Sequence, residues 1–169
     1  MTKIIGITGG IGSGKSTFSK VVLKRKHKLF DSDKNVDHLY KKPNKEFLNY
    51  LKKIGLGSAI KGKRISKKTI GNIIFTDKKT KSKLEEYIFK IIRAKRSNFI
   101  KKEKEKKTKF LFVDIPLLFE NKLMNEFDII VSIISSKKER FKRLKISKKI
   151  SMSNFTKILQ NQTSDIESK

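Results

Sequence analysis

The chain has 169 residues, 36% of them apolar, and a formal charge of +27, a length that suits one compact domain with a small insertion. The absence of cysteine excludes a disulfide framework and any thiolate metal site. The longest apolar stretch, around Ile129 to Ile134, is far short of the roughly 20 residues that span a bilayer.

The first element reads Lys3-Ile4-Ile5-Gly6-Ile7-Thr8, a short apolar run of the kind buried on both faces of a parallel sheet. It leads straight into a glycine loop at Gly9 to Gly14 and leaves no room for a signal peptide, so a soluble, cytoplasmic protein is expected. A helix is predicted from about Lys15 to Arg25, burying Phe18, Val21 and Val22. A second strand, Lys28 to Phe30, ends in Asp31-Ser32-Asp33. Helices then dominate: Pro43 suits a first turn, Phe47, Leu48, Leu51 and Ile54 recur at helical spacing, and Gly55 and Gly57 end that helix. A further helix covers about Ser66 to Phe75. The long charged stretch from Lys79 to Lys106 carries a packing stripe of Leu84, Tyr87, Ile88, Ile91 and Ile92. Buried-type strands return at Phe110 to Asp114 and at Phe127 to Ile134. A basic helix over about Ser136 to Ser147 and a last helix from Ser151 to Gln162, burying Met152, Phe155, Ile158 and Leu159, complete the reading.

Strands of this kind separated by helices predict an α/β fold with a parallel sheet. The helical block from Leu39 to Lys107 is too long for one crossover and reads as an insertion forming a second lobe. The lysines are spread along the whole chain rather than massed in one arm, and the scarcity of Ala and absence of Trp fit compositional drift. Nucleic acid is therefore set aside as a partner despite the charge, and no membrane or obligate protein partner is expected. A basic surface would still gather anionic substrates.

The strongest chemical signal is Gly9-Gly10-Ile11-Gly12-Ser13-Gly14-Lys15-Ser16, which satisfies G-x-x-x-x-G-K-[ST] between a strand and a helix. Glycines let successive backbone N–H groups converge on one phosphate, and the following helix adds its positive end. Lys15 would reach the outer phosphates and the Ser16 hydroxyl would ligate Mg²⁺. The residues expected to hold ATP are thus Gly10, Ile11, Gly12, Ser13, Gly14, Lys15, Ser16 and Thr17. Asp33, past the carboxyl end of a strand, is placed either to accept the proton of an attacking hydroxyl or to cap the next helix; beside such a loop the first reading is preferred. Asp31 is left to orient Mg²⁺ or a lysine. Asp114 is either a carboxylate that holds Mg²⁺ through water or part of the turn into Pro116. Arg140 and Arg143 either stabilise transition-state charge over a bound nucleotide or belong to a solvated basic face. His27 and His38 have no metal-ligand partner at useful spacing and read as surface residues.

The run from Ile5 to Thr17 resembles the start of the dephospho-CoA kinases. Asp31-Ser32-Asp33 is similar to that family's Asp-Ala-Asp, Pro116-Leu117-Leu118-Phe119-Glu120 to its Pro-Leu-Leu-Phe-Glu, and Gln162 to a late glutamine in its lid. The resemblance runs over essentially the whole chain. It implies a three-layer P-loop core (1–38 and 108–135), a helical acceptor-binding insertion (39–107) and a helical lid (136–169). It also implies ATP and Mg²⁺ as cofactors and transfer to the ribose 3′-hydroxyl of dephospho-CoA. In that scheme Asp33 is the base, Lys15 and the loop amides hold ATP, Arg140 and Arg143 serve the lid side, and Leu117 and Glu120 line or support the acceptor site. The sequence departs from the family at Phe89-Lys90, Ile65-Ser66-Lys67, Ser147 and Lys157. The family's final edge strand and helix would follow Lys169, so a missing edge strand is expected. The rival readings are another small P-loop kinase, a basic nucleic-acid-binding P-loop protein, and an inactive remnant.

Overall fold

The computed structural model describes residues 1–62, 64–148 and 151–160. In chain order the elements are β1 (Lys3–Thr8), α1 (Lys15–Lys24), β2 (Lys28–Asp31), α2 (Ser32–Lys41), α3 (Lys45–Lys53), β3 (Ile60–Lys61), β4 (Arg64–Ile65), α4 (Lys67–Thr76), α5 (Lys78–Glu105), β5 (Phe110–Asp114), β6 (Ile129–Ser132), α6 (Lys137–Lys148) and α7 (Met152–Gln160). The chain divides into two compact units. One is built from Met1–Asp31 and the chain from Ile100 onward, the other from Ser32–Phe99.

The first unit holds a parallel sheet in the order β2-β5-β1-β6. Five successive residues of β1, from Ile4 to Thr8, are buried. Since alternate side chains point to opposite faces, an unbroken buried run means that both faces of this strand are covered. Register places Ile7 beside Asp114, and Asp31 beside the same Asp114. Three strands therefore bring their carboxyl ends together where β5 and β6 flank β1, the place where ligands gather in open α/β sheets. The predicted strand from Phe127 to Ile134 is shorter, Ile129–Ser132, and Ile129 is 46% exposed, as befits a strand at the edge of the sheet among the described residues. His27 is not a plain surface residue. Its half-buried ring packs on Phe112, with centroids 5.3 Å apart, and meets Phe110 edge-on. In the last helix Phe155 is buried against the Phe141 ring of α6, while Met152, expected inside, is exposed.

A carboxylate ties the end of α5 to the entry into β5. Glu103 accepts from Lys106 Nζ at 2.9 Å and from Thr108 Oγ1 at 2.8 Å. Those two hydrogen bonds hold its carboxyl below the ordinary value.

The second unit is organised on Leu39, Phe47, Leu51, Ile54, Leu56, Ala59, Ile70 and Leu84. The long helix contributes its predicted stripe: Leu84 and Ile92 are buried, and Tyr87, Ile88 and Ile91 pack at the core's margin. Tyr87 stacks on Tyr50 at 3.8 Å between centroids. Caps fix the helix starts. Asn44 Oδ1 accepts from Phe47 N at 2.9 Å, so Pro43 precedes the cap instead of opening the helix. Ser66 caps α4, and Asp77 accepts from Thr80 N ahead of α5. The β3–β4 hairpin was not foreseen, because two residues per strand are too few to show a period. Among the described residues no helix is long and apolar enough to cross a membrane.

Two outcomes follow from this packing. Leu51→Ala, at a site with 0% exposure, should lower stability by about 2–5 kcal/mol, whereas Phe75→Ala, at 87% exposure, should stay within about 0.5 kcal/mol; urea denaturation reads both. Because the Glu103 carboxyl is depressed in the folded state, its contribution is complete above the unfolded value and is lost as pH falls through the folded one. Glu103→Gln should therefore flatten the acid limb of a stability-versus-pH curve and leave its shape above pH about 6 unchanged.

Candidate active site

The glycine loop joins β1 to α1. Gly9 has φ 151°, and a Cβ there would lie 2.6 Å from the Ile133 carbonyl oxygen, so only glycine lets the loop pass β6 this closely. Gly14 caps α1 at φ 108° with no side-chain hydrogen bond, in contrast to α3, α4 and α5, whose first turns are met by Asn44, Ser66 and Asp77. The Ser13 hydroxyl is buried inside the loop without a hydrogen-bond partner. An uncapped helix start and an orphaned hydroxyl leave donors free for an anion.

Lys15 sits in the first turn of α1, and its Nζ lies 2.6 Å from Asp114 Oδ1. The other oxygen of Asp114 accepts from Ser19 Oγ at 2.8 Å, in a buried contact. Lys15 and Ser19 are four residues apart, hence neighbours on one helix face. Phe18 and Val22 belong to the same inward face, whereas Val21, expected to be buried, is 47% exposed. Ser19 escaped the sequence reading, since a lone serine in a helix carries no pattern; the only available signal was its i+4 spacing from Lys15.

The two arginines of α6 approach the loop from outside it. Arg140 is buried and donates from Nε to the Ile11 carbonyl at 2.8 Å. Arg143 Nη1 donates to the carbonyls of Gly12, at 3.2 Å, and Ser13, at 3.0 Å. Leu144, buried, lies under Gly12. Arg140 thus belongs to the loop's structure, while Arg143 braces the loop from an exposed position on α6.

Ser16 and Thr17 are exposed at the start of α1. Asp31 and Asp114 stand side by side at the ends of β2 and β5. Asp33 lies in the first turn of α2, exposed, and belongs to the second unit. Leu117 occupies a turn after β5 with φ 57°, is 39% exposed, and accepts from Asn121 Nδ2 at 2.8 Å through its carbonyl. Glu120, exposed, lies in the same turn. Leu118 between them is fully buried and anchors it. Gln162 lies outside the described residues.

A parallel sheet with this loop at the end of an inner strand, the loop's lysine turned toward a strand-end carboxylate and arginines on the loop carbonyls define a P-loop nucleotide-binding protein. The family model for dephospho-CoA kinase matches residues 3–169. A dephospho-CoA kinase of Fusobacterium nucleatum is 35% identical over 97% of this chain and 83% of its own. One from Streptococcus agalactiae is 33% identical over 85% of this chain and 73% of its own. Among solved structures, dephospho-CoA kinase from Campylobacter jejuni superposes with a TM-score of 0.70 at 28% identity, covering 99% of this chain and 83% of that one. A crystal structure of TT1252 from Thermus thermophilus, 24% identical, shares the fold with a TM-score of 0.79 over the same coverage. The chain belongs to the dephospho-CoA kinase family.

Removing the Ser19 hydroxyl leaves a buried carboxylate oxygen without its donor. Ser19→Ala should lower stability by about 1.5–3 kcal/mol, seen as a lower urea midpoint at unchanged slope.

Proposed function

We propose that the chain transfers the γ-phosphoryl group of ATP to the ribose 3′-hydroxyl of dephospho-CoA, giving coenzyme A and ADP. The observation that carries this reading is the uncapped glycine loop with Lys15 at its end, in a chain of this family. In the reaction the acceptor oxygen forms a bond to the γ-phosphorus as the bond from that phosphorus to the β–γ bridging oxygen breaks. The acceptor's proton goes to Asp33, whose carboxylate is exposed in the first turn of α2, and from there to solvent. Lys15 exchanges part of its contact with Asp114 for the outer phosphates, and the Ser13 hydroxyl and the start of α1 supply further donors. Arg140 and Arg143 keep the loop in its binding shape through its carbonyls.

Mg²⁺ fits the donors present. It takes oxygen ligands, keeps several waters, and in phosphoryl-transfer sites uses one or two carboxylates beside the phosphates. The Ser16 hydroxyl is exposed beside Lys15, and Asp114, with two donors already bound, keeps lone pairs for a metal-bound water. The ion would neutralise charge on the phosphates. In the same reading Leu117 and Glu120 support the acceptor, the second unit (39–107 in the sequence-based division) binds it, and the region from 136 onward closes as a lid that excludes water. We take the reaction to be cytoplasmic.

The test is ADP release with ATP and Mg²⁺, measured with and without dephospho-CoA, together with detection of coenzyme A. Release that depends on dephospho-CoA is expected. Lys15→Ala should cut it by about 10²–10³-fold or more. Asp33→Asn should cut turnover by about 10²–10⁴-fold with ATP affinity nearly unchanged; full activity in that variant removes Asp33 from the chemistry. ATP binding without dephospho-CoA-dependent release would overturn the assignment of the acceptor.

A further inference from the structure

The second unit contains a cavity of about 480 Å³ lined by Tyr40, Lys41, Arg64, Ile65 and Lys67, within the size range of small-ligand sites. Its charges do not cancel. Lys67 is paired with the Asp37 carboxylate, which that contact holds below the usual carboxylate range, and its ammonium also lies 5.0 Å from the Tyr40 ring centroid. Lys41 also acts on Asp37, from further off, so one carboxylate stands against Lys41, Arg64 and Lys67 and positive charge remains in excess. The Arg64 guanidinium makes no ion pair or hydrogen bond among the described residues.

Two features set Arg64 apart from the lysines that cover this protein. It stands directly across from Lys61 in the β3–β4 hairpin, and like charges directly opposite each other across strands are destabilising, a cost that a bound anion would reduce. It is also one of only six arginines among 43 basic residues, and the planar fork of arginine matches two phosphate oxygens at once, which lysine cannot do. Lys67 adds the start of α4, where the helix dipole is positive. The half-buried Tyr40 ring and Ile65 form an apolar wall beside these cations.

We propose that this cavity is a diphosphate-binding subsite, with Arg64 and Lys41 holding the diphosphate of the acceptor and Tyr40 and Ile65 packing on the group next to it. The assignment of the diphosphate to the acceptor rests on the function proposed above; the anion site itself does not.

Two measurements separate them. The first is calorimetric titration of inorganic pyrophosphate into the protein with its ATP site filled by a non-hydrolysable ATP analogue and Mg²⁺. One site is expected, weakened about tenfold or more in Arg64→Ala and partly restored in Arg64→Lys. Arg64 is exposed, and an unchanged thermal midpoint checks that the variant folds. The second is steady-state kinetics, in which Arg64→Ala and Lys41→Ala should raise KM for dephospho-CoA about tenfold and leave KM for ATP unchanged, with pyrophosphate competing against dephospho-CoA in the parent protein. Equal pyrophosphate binding in Arg64→Ala and the parent overturns the subsite. Arg64-dependent pyrophosphate binding that does not compete with dephospho-CoA overturns its assignment to the acceptor. Arg64-dependent binding in a protein that forms no coenzyme A upholds the anion site and overturns the acceptor reading alone. Coenzyme A formation with KM for dephospho-CoA unchanged in both variants overturns the assignment of the site to the acceptor and leaves the proposed reaction standing.

Discussion

The contact between Lys15 and Asp114 fixes the geometry on which the nucleotide site depends. Its partners are 99 residues apart in sequence, and they meet because β1 and β5 are adjacent and end at the same level. The side chains are 14% and 7% exposed. Taking one member away from a pair this far from water strands the other, which commonly costs about 3–5 kcal/mol. In the proposed reaction Lys15 would nevertheless have to turn toward the phosphates. The Ser19 hydroxyl on the second oxygen of Asp114 would ease that conflict: were Lys15 to share its charge with a nucleotide, the carboxylate would still have a buried donor. The same helix face thus carries the Lys15 ammonium and the Ser19 hydroxyl, one turn apart and both on Asp114.

The opposite side of the loop answers a different requirement. A loop that turns successive N–H groups toward one anion turns carbonyls away from it, and a buried carbonyl needs a donor. The carbonyls of Ile11, Gly12 and Ser13 find theirs in Arg140 and Arg143. Arginine suits this role because its donors are held in a rigid plane and can serve two adjacent acceptors, as Arg143 does with one nitrogen between Gly12 and Ser13. The arginines therefore hold the shape of the loop through its carbonyls, and in the proposed reaction they would act on phosphate binding through that loop.

How much of this could be read beforehand depends on the length scale of each signal. The glycine loop is local, with every residue within eight positions, and was legible together with the buried strand before it. The stripe on α5 was legible because it repeats over several turns. Val21 was misplaced because hydrophobicity alone predicted an inward side chain, while the actual inward face is set by Lys15 and Ser19, two polar residues whose partner lies across the sheet. Pro43 was assigned to the helix on a preference that Asn44, with a side-chain oxygen able to accept from Phe47 N, overrides. Arg140 and Arg143 sit in a helix where basic residues recur, and nothing local distinguishes a cation that holds a carbonyl from one that holds water. His27 was read as a surface residue for the same reason: the rings it packs on belong to β5, more than 80 positions away.

The charge of +27 bears on the same distinction. A solvated helix face tolerates any number of lysines, since exposed charges interact weakly through water and salt. Along α5, Lys81 faces Glu85 at 3.7 Å with both side chains half exposed or more, a pair worth a few tenths of a kcal/mol at most. Arg140 and Arg96, by contrast, are buried, and burying a guanidinium requires that its donors be met. Net charge consequently says little about what the protein binds, because most of it lies where water screens it. The informative cations are those whose removal would leave a buried acceptor without a donor or an ion without its partner, and in the unit that carries the glycine loop those include Lys15 and Arg140, with Arg143 beside them.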